Sequence, residues 1–391
     1  MTFRERLPSI LIYTITIVVL IGIILFIQPP RLMEDLLDLG LWGVFILFLV
    51  LLLLYIADML IRIYRWQILL IVQGVKLPLK SLVLPVVSAL AINLFTIARA
   101  GETVRMYALK RNYETKYSDT LSSIVIEQVL SIVGLLFVIA TSLFFVGSSL
   151  LQNSETIQQL VVIIFLSSVL GLIALFLMML KPDLIERLIR IFPTFIEKRL
   201  NSAYQAFQTG IKGLRLKPLH LILGIITSAS IWVIEGIMIY VIAITVLPDL
   251  TLIDFPWAIA ASCAGNITFI IPILPGAMGE YEFVLAFILM NSPNYPIEAF
   301  PIENLWTLEN LWALGPAARI AFIDRLAKSL MLGLFGGYAT LRLGGKEIIR
   351  LRKDFFSVSK KPNELEKEMD VDVKIKPTER TDKANLRNRN D

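Results

Sequence analysis

The sequence predicts an all-α polytopic membrane protein with inverted-topology repeats, six full transmembrane helices and two re-entrant hairpins. Of its 391 residues 56% are hydrophobic and only 18% are charged, and the mean hydropathy is +0.73. Soluble domains hold about 25% charged residues. Several apolar runs approach the ~20 residues that a helix needs to span ~30 Å of hydrocarbon. Two apolar segments also repeat a pattern of charges and helix breakers, which is typical of transport proteins.

Six apolar runs are predicted to cross the membrane completely. They are 10–27, 41–60, 122–146, 160–180, 219–247 and 317–341. The first has no small-residue cleavage site, so we expect a retained helix rather than a signal peptide. Lys and Arg collect on the cytoplasmic side of membrane proteins. This rule predicts a location in the cell membrane with both termini in the cytoplasm.

Charge in the connections orients these crossings. Residues 61–80 carry Arg62, Arg65, Lys76 and Lys80, so we expect a cytoplasmic loop there, and residues 98–121 and 181–220 are basic too. The stretches 147–159, 248–256 and 291–316 contain no Lys or Arg. We therefore expect those three stretches on the outer side.

Two shorter apolar stretches are predicted to enter the membrane and return on the same side. Residues 81–97 have basic connections at both ends, whereas 257–290 is flanked by stretches without positive charge. Breaks near Gly101 and at Pro275-Gly276 supply the turns. The hairpins therefore enter from opposite faces, which makes the two copies inverted repeats with a site where they meet.

Charged residues inside these segments are the candidates for that site. Glu127 and the pair Asp324-Arg325 lie ~10 Å inside opposite interfaces, at ~1.5 Å of rise per residue. An ionised side chain at mid-membrane costs at least ~2.5–3.5 kcal/mol, so each needs a partner. The candidate substrate-binding set is Asn93, Arg99, Glu102, Arg105, Glu127, Asn266, Pro275, Gly276, Glu282, Asp324 and Arg325.

Two interpretations of this set stay open. In the first, a polar cavity takes the anionic headgroup of an amphiphile, with Arg99, Arg105 and Arg325 as phosphate ligands. In the second, Glu127–Arg99 and Asp324–Arg325 are buried structural ion pairs. Asn93 and Asn266 either cap broken backbone or contact substrate. Glu235 is a further mid-helix acid that could join the site, and Asp58 is expected at the interface, at the end of its span.

Residues 1–345 are predicted to form the transmembrane domain and 346–391 a disordered cytoplasmic tail. Residues 183–217 have the pattern of a basic amphipathic pair on the cytoplasmic lipid surface, and 305–315 that of an outer interfacial helix.

Several functions are excluded by composition. One cysteine, Cys263, and one histidine, His220, rule out a disulfide framework and argue against a Cys/His metal site. No Gly-rich nucleotide loop occurs, so we expect no ATP hydrolysis. We therefore expect no cofactor, no metal, no nucleic-acid partner and no enzyme activity.

In these residues the chain resembles the lysylphosphatidylglycerol synthase transmembrane family, a flippase-like membrane domain, over about 10–345. The first family signature is matched by Asn93, Arg99-Ala100-Gly101-Glu102 and Arg105, with Ile97 in place of the usual Pro. Glu127-Gln128 stands where the family has a Glu-Arg pair. The second signature is matched by Leu274-Pro275-Gly276-Ala277-Met278-Gly279 and Glu282, and the last helix's arginine by Arg325.

The resemblance implies lipid translocation, without the soluble domain that transfers lysine to the lipid in two-part members. We expect a flippase that moves an anionic or polyprenyl-phosphate-type lipid between the two repeats. Two alternatives remain. One is a non-catalytic partner of a glycolipid or glycosyltransferase pathway. The other is an intramembrane lipid-modifying enzyme that uses Glu127, Asp324 or Glu282 as general acid or base.

Overall fold

The computed structural model describes residues 29–95, 101–146, 216–246, 255–269, 277–290 and 315–343, with short pieces between 159 and 214 and Ser292. Every regular element in these residues is helical, as expected. The longer helices are α1 (Pro29–Asp38), α2 (Gly40–Val72), α3 (Leu79–Phe95), α4 (Gly101–Tyr113), α5 (Tyr117–Val146), α6 (Pro218–Val246), α7 (Phe255–Ile267), α8 (Glu280–Met290) and α9 (Gly315–Arg342). All lie in one compact unit, Met1–Leu343.

Three of the described helices are long and apolar enough to cross a membrane, judged by length and composition. They are Gly40–Val72, Tyr117–Phe145 and Pro218–Thr245. Helix α9 has 28 residues but carries several charges. Three of its leucines, Leu326, Leu330 and Leu334, are exposed at a spacing of four. This spacing places them on one outer face of α9, where lipid would cover them, while Arg319, Asp324, Arg325 and Lys328 point into the protein.

Helix α2 corrects the predicted end of the second span. The helix does not stop at residue 60 but continues to Val72, so Arg62 and Arg65 lie within it rather than in a loop. The apolar side chains of Trp66 and Leu70 are fully buried and extend the packed face of α2. The sequence-based prediction assigned these arginines to a loop because it counts Lys and Arg along the chain. It takes no account of acidic partners that stabilise an arginine within a helix.

Part of the basic stretch 98–121 is helical. Residues Gly101–Tyr113 form α4, with Val104, Ala108 and Leu109 buried on one face. Arg105 lies on this helix and is buried against the other helices, with 3% of its surface exposed. A basic segment can fold against the helices when its own apolar spacing provides a packing face.

Two pairs of short helices lie near the positions of the predicted hairpins. The prediction that residues 81–97 turn back within themselves is wrong, because α3 is one continuous helix from Leu79 to Phe95 and its short partner is α4. Helices α3 and α4 contact each other and have 17 and 13 residues, and α7 and α8 contact each other and have 13 and 11. Each helix is shorter than the ~20 residues that a perpendicular crossing needs. The predicted elements 10–27, 305–314 and 346–391, with most of 160–180 and 183–217, lie outside the described residues.

The neighbours of α2–α5 match those of α6–α9. Helix α3 packs on α9, and its counterpart α7 packs on α5. Helix α2 contacts α3 and α5, and its counterpart α6 contacts α7 and α9. Helices α2 and α6 contact each other directly. Exchanging the two sets of four helices therefore reproduces the same pattern of contacts.

Glycines bring the central helices into close contact. A Cβ on Gly336 of α9 would lie 2.2 Å from Ala91 Cβ of α3, and one on Gly236 of α6 would lie 2.6 Å from a side-chain carbon of Ile259 on α7. Small residues at such crossings are typical of membrane helix interfaces, where close backbone approach supplies van der Waals contact. These crossings fix the helices that surround the site.

Candidate functional site: a cavity lined by buried ion pairs

A cavity of about 190 Å³ lies between the two sets of helices. Charged groups converge on it from α2, α4, α5, α6 and α9. Its charged lining consists of five cations and four acids, namely Arg62, Arg65, Arg105, Arg325 and Lys328 with Asp58, Glu102, Glu127 and Glu235. The rest of the lining includes apolar and aromatic side chains such as Met59, Leu90, Leu94, Trp232, Phe269 and Leu332.

Glu127 is the centre of one charge cluster, which ties α2, α4 and α5 together. Its Oε1 accepts from Arg65 Nη2 at 3.0 Å and its Oε2 from Arg105 Nη1 at 2.6 Å. Arg65 Nη1 also donates to Ser228 Oγ, and Arg105 Nε lies 3.3 Å from Glu102 Oε2. The side chains of Arg65, Arg105 and Glu127 are each 3% exposed. Two cations and two acids balance, so this cluster is neutral, and its four members line one part of the cavity.

A second cluster is a chain of alternating acids and bases that joins α2, α6 and α9. Arg62 Nε lies 2.7 Å from Asp58 Oδ2, and Arg62 Nη2 lies 2.7 Å from Glu235 Oε1. Lys328 Nζ continues the chain, 2.6 Å from Glu235 Oε2 and 2.9 Å from Asp324 Oδ2.

Two further groups bind to this second cluster. Asn266 Nδ2 donates to Glu235 Oε2 at 3.3 Å, and Tyr281 Oη donates to Asp324 Oδ2 at 2.7 Å. Helices α7 and α8 are thereby connected to the chain. The network fixes the position of every charged side chain in it.

Arg325 and Glu282 form a third, looser pair. Arg325 Nε lies 3.6 Å from Glu282 Oε1, and its guanidinium lies over the rings of Phe269 and Tyr281 at 5.2 and 5.8 Å. Its side chain is 11% exposed. The guanidinium is therefore held by aromatic faces and stays in contact with the cavity.

Side chains cap the second helix of each short pair. Asn93 Oδ1 accepts from the backbone N–H of Gly101 at 2.8 Å, at the start of α4. Glu282 Oε2 accepts from the N–H of Gly279 at 2.7 Å, at the start of α8. Each cap satisfies a backbone donor that water could not reach. For Asn93, the capping interpretation made from the sequence is the one that this contact supports.

Most of the predicted site residues come together. Asn93, Glu102, Arg105, Glu127, Asn266 and Arg325 line the cavity. Glu282 and Asp324 lie behind it, paired with the lining residues Arg325 and Lys328. Arg99, Pro275 and Gly276 lie outside the described residues.

One predicted ion pair, Asp324–Arg325, needs correction, and the other, Glu127–Arg99, involves a residue outside the described part of the chain. Glu127 pairs with Arg65 and Arg105, and the predicted partner Arg99 is not described. Asp324 pairs with Lys328, one helical turn further on, rather than with its neighbour Arg325. Adjacent residues of a helix point in different directions, whereas residues four apart share a face.

The sequence-based prediction did not include four charged residues of the site: it placed three of them elsewhere and did not name the fourth, Lys328. Arg62 and Arg65 were expected in a loop and Asp58 at the interface, but all three line the cavity, and Asp58 is 2% exposed. Lys328 was not considered. Asp58, Arg62 and Arg65 follow one another at helical spacing, as do Asp324 and Lys328. That spacing of opposite charges was the signal that could have identified them.

No group of three or more His, Cys, Asp or Glu side chains is placed to hold a metal ion within the part of the chain that the structure describes. Cys263 is a free thiol on α7, fully buried in the hydrophobic core. The cavity is lined by charged groups of both signs, most of which are already paired with one another.

Comparison with known proteins identifies the family. A family model described as the lysylphosphatidylglycerol synthase TM region matches residues 11–314. The UPF0104 membrane protein MJ1078 of Methanocaldococcus jannaschii is 25% identical over 204 residues, which cover 51% of this chain and 78% of that protein. No solved structure matches.

Proposed function

Because the chain belongs to the family of the lysylphosphatidylglycerol synthase TM region, we propose that it is a lipid flippase that moves a polar headgroup through the cavity between its two sets of helices. The observation that carries the proposal is the convergence of nine charged side chains on one cavity inside apolar helices. Stability alone does not explain such a cluster, since apolar residues often replace buried ion pairs at no loss.

The composition of the cavity supports an amphiphile as substrate. Charged groups and apolar side chains line the same space, which suits a molecule with a polar head and hydrocarbon chains. Pockets for whole small molecules measure about 300–1,000 Å³. A cavity of about 190 Å³ is smaller and fits a headgroup whose chains stay in the lipid.

The cations differ in how far they are available to an anionic headgroup. Arg65 and Arg105 are 3% exposed and held by Glu127, so we assign them a positioning role. The side chains of Arg62, Lys328 and Arg325 are 16%, 18% and 11% exposed. The planar guanidinium of arginine suits a phosphate group. We therefore propose Arg325 and Arg62 as phosphate ligands, with Lys328 beside them, and Arg99 stays a prediction.

The matching contacts of the two sets of helices support a transport mechanism. We propose that α2–α5 and α6–α9 are inverted repeats, that the short pairs are re-entrant hairpins from opposite faces, and that the full chain crosses six times with both termini in the cytoplasm. In such transporters the site lies near the midplane, where the repeats meet, and one repeat moves against the other. The cavity lies where the two sets meet, so a relative movement would expose it to either side.

The test is lipid movement in liposomes that contain the purified protein. We expect fluorescently labelled phosphatidylglycerol, or a labelled polyprenyl phosphate, to cross the bilayer faster than in empty liposomes. Arg325→Gln should slow the movement at least tenfold, because the phosphate loses a charged ligand. Arg342→Gln, an exposed position at the end of the same helix, is the matched control and should change nothing.

Three results would argue against the proposal. Equal rates in Arg325→Gln and the unmodified protein would remove Arg325 from the headgroup site. A chemical change in the lipid, seen by mass spectrometry, would favour an intramembrane enzyme. A protein that moves neither lipid but copurifies with a glycosyltransferase would favour the partner role.

A further inference from the structure

The ion-pair chain that begins at Asp58 has an acid at both ends. Asp58, Glu235 and Asp324 alternate with Arg62 and Lys328, so three carboxylates share two cations. The Glu127 cluster and the Arg325–Glu282 pair are balanced by themselves. The described charges around the cavity therefore leave one negative charge without compensation. An excess charge inside apolar helices is costly and calls for a positive ligand.

The two ends of the chain are not equivalent. Asp324 Oδ2 accepts from Tyr281 Oη and pairs with Lys328, and Asp324 does not line the cavity. Asp58 lines the cavity, and its Oδ1 has no hydrogen-bond partner among the described residues although the residue is 2% exposed. Tyr55 lies one turn earlier on α2, and its buried hydroxyl is likewise without a partner there. A positive ligand would therefore bind at the Asp58 end.

We propose that Asp58 is the proton-coupling site of the transporter, an inference that rests on the proposed function and adds its energy source. A proton from water binds Asp58 Oδ1 and gives a neutral carboxylic acid, which removes the excess negative charge. A hard metal ion fits less well, because such ions take six or more oxygen ligands and this end offers two unpartnered oxygens.

Protonation also changes what Arg62 can bind. Arg62 contacts Asp58 through Nε and Glu235 through Nη2. When Asp58 is neutral, Arg62 keeps one anionic partner instead of two and can accept a phosphate in the cavity. Proton and anionic headgroup would then bind together. The charged and titratable groups nearest Asp58 around the cavity are Tyr55 and Arg62 on α2, Glu235 on α6 and Lys328 on α9. The other such groups that line the cavity are Arg65, Glu102, Arg105, Glu127, Tyr281 and Arg325. Asp324 and Glu282 lie behind the cavity, paired with Lys328 and Arg325.

The direct test is infrared difference spectroscopy of the purified full chain in lipid nanodiscs, titrated with acid and without substrate. A carboxylic acid that is shielded from water gives a carbonyl band separate from those of exposed acids. We expect this band to appear on acidification and to be lost in Asp58→Asn. The control Asp38→Asn, at an exposed position on α1, should keep it. A band that persists in Asp58→Asn overturns the proposal.

A second measurement needs no variant and stays valid if Asp58→Asn does not fold. Biosynthetic ¹³C labelling of aspartate carboxyl groups should shift the same band in the unmodified protein. An unshifted band means that the titrating group is a glutamate, such as Glu235, and overturns the assignment to Asp58.

A transport arm separates this inference from the proposed function. In liposomes with a pH gradient, the unmodified protein should move labelled phosphatidylglycerol faster than without the gradient, and Asp58→Asn should lose this dependence. If the pH gradient does not change the rate of lipid movement by the unmodified protein, proton coupling is refuted but the flippase function stands. If Asp58 takes up a proton in the infrared titration but the protein moves no lipid, the flippase function is refuted instead.

Discussion

Removing the negative charge of Glu127 should strongly destabilise the protein. Glu127 is held by two arginines, at 3.0 and 2.6 Å, and all three side chains are 3% exposed. In Glu127→Gln the two guanidinium groups would face each other with Glu102 as the remaining acid. Breaking a buried ion pair by removing one partner costs about 3–5 kcal/mol, because the other charge stays buried and uncompensated. The free energy of unfolding should fall by that amount.

The chain contains its own probe for this measurement. Cys263 is the single cysteine of the sequence and is fully buried on α7. A thiol-reactive dye therefore labels it only when the helices open, and the labelling temperature reports unfolding in detergent. Glu127→Gln should label at a clearly lower temperature than the unmodified protein. The control Glu34→Gln changes an exposed acid on α1 and should stay within about 0.5 kcal/mol.

A double variant tests the charge argument itself. Glu127→Gln combined with Arg65→Gln removes one of the two stranded cations and leaves Arg105 with Glu102, a balanced pair. Contacting residues of one network couple by about 0.5–3 kcal/mol, so the double variant should be more stable than Glu127→Gln alone. If Glu127→Gln labels at the same temperature as Glu34→Gln, or if the second substitution only adds to the damage, the account of this cluster is wrong.

Two further predictions concern packing and capping. Gly336→Ala places a Cβ 2.2 Å from Ala91 Cβ and should cost about 1–3 kcal/mol by overpacking α9 against α3. The control Gly333→Ala on the same helix has nothing within 4 Å and should be neutral or stabilising. Equal labelling temperatures in the two variants would contradict the described crossing of α9 and α3. Asn93→Ala removes the acceptor for the Gly101 N–H and should cost about 0.5–2 kcal/mol of stability. Hydrogen exchange should become faster in the first turn of α4 only. Unchanged exchange in that turn would show that the cap does not form.

The class of the fold and much of the site could be predicted from the sequence because both depend on local patterns. Apolar runs identify the helices around residues 122–146 and 219–247, which the structure describes as α5 and α6. Charges and breakers inside apolar segments identified Asn93, Glu127 and Arg325, which line one cavity.

The rest could not be predicted because charge has two roles that look alike in a sequence. An arginine after an apolar run marks the cytoplasmic side when it is exposed, but it continues the helix when an acid on another helix meets it. Arg65 is of the second kind, and its partner Glu127 lies 62 residues away. Such a partner is a property of the tertiary packing and cannot be found by counting charges in loops.

Helix α2 is the element through which a change at one charge cluster can reach the other. Its Arg65 belongs to the neutral Glu127 cluster, while Arg62 and Asp58 belong to the acid-ended chain. These residues lie on one helix, so we expect a shift of α2 after proton or headgroup binding to move Arg65 relative to Glu127. The Glu127 cluster in turn holds α4 and α5. An asymmetric pair of clusters therefore suits a transporter, since one cluster changes its charge while the other transmits the movement to the neighbouring helices.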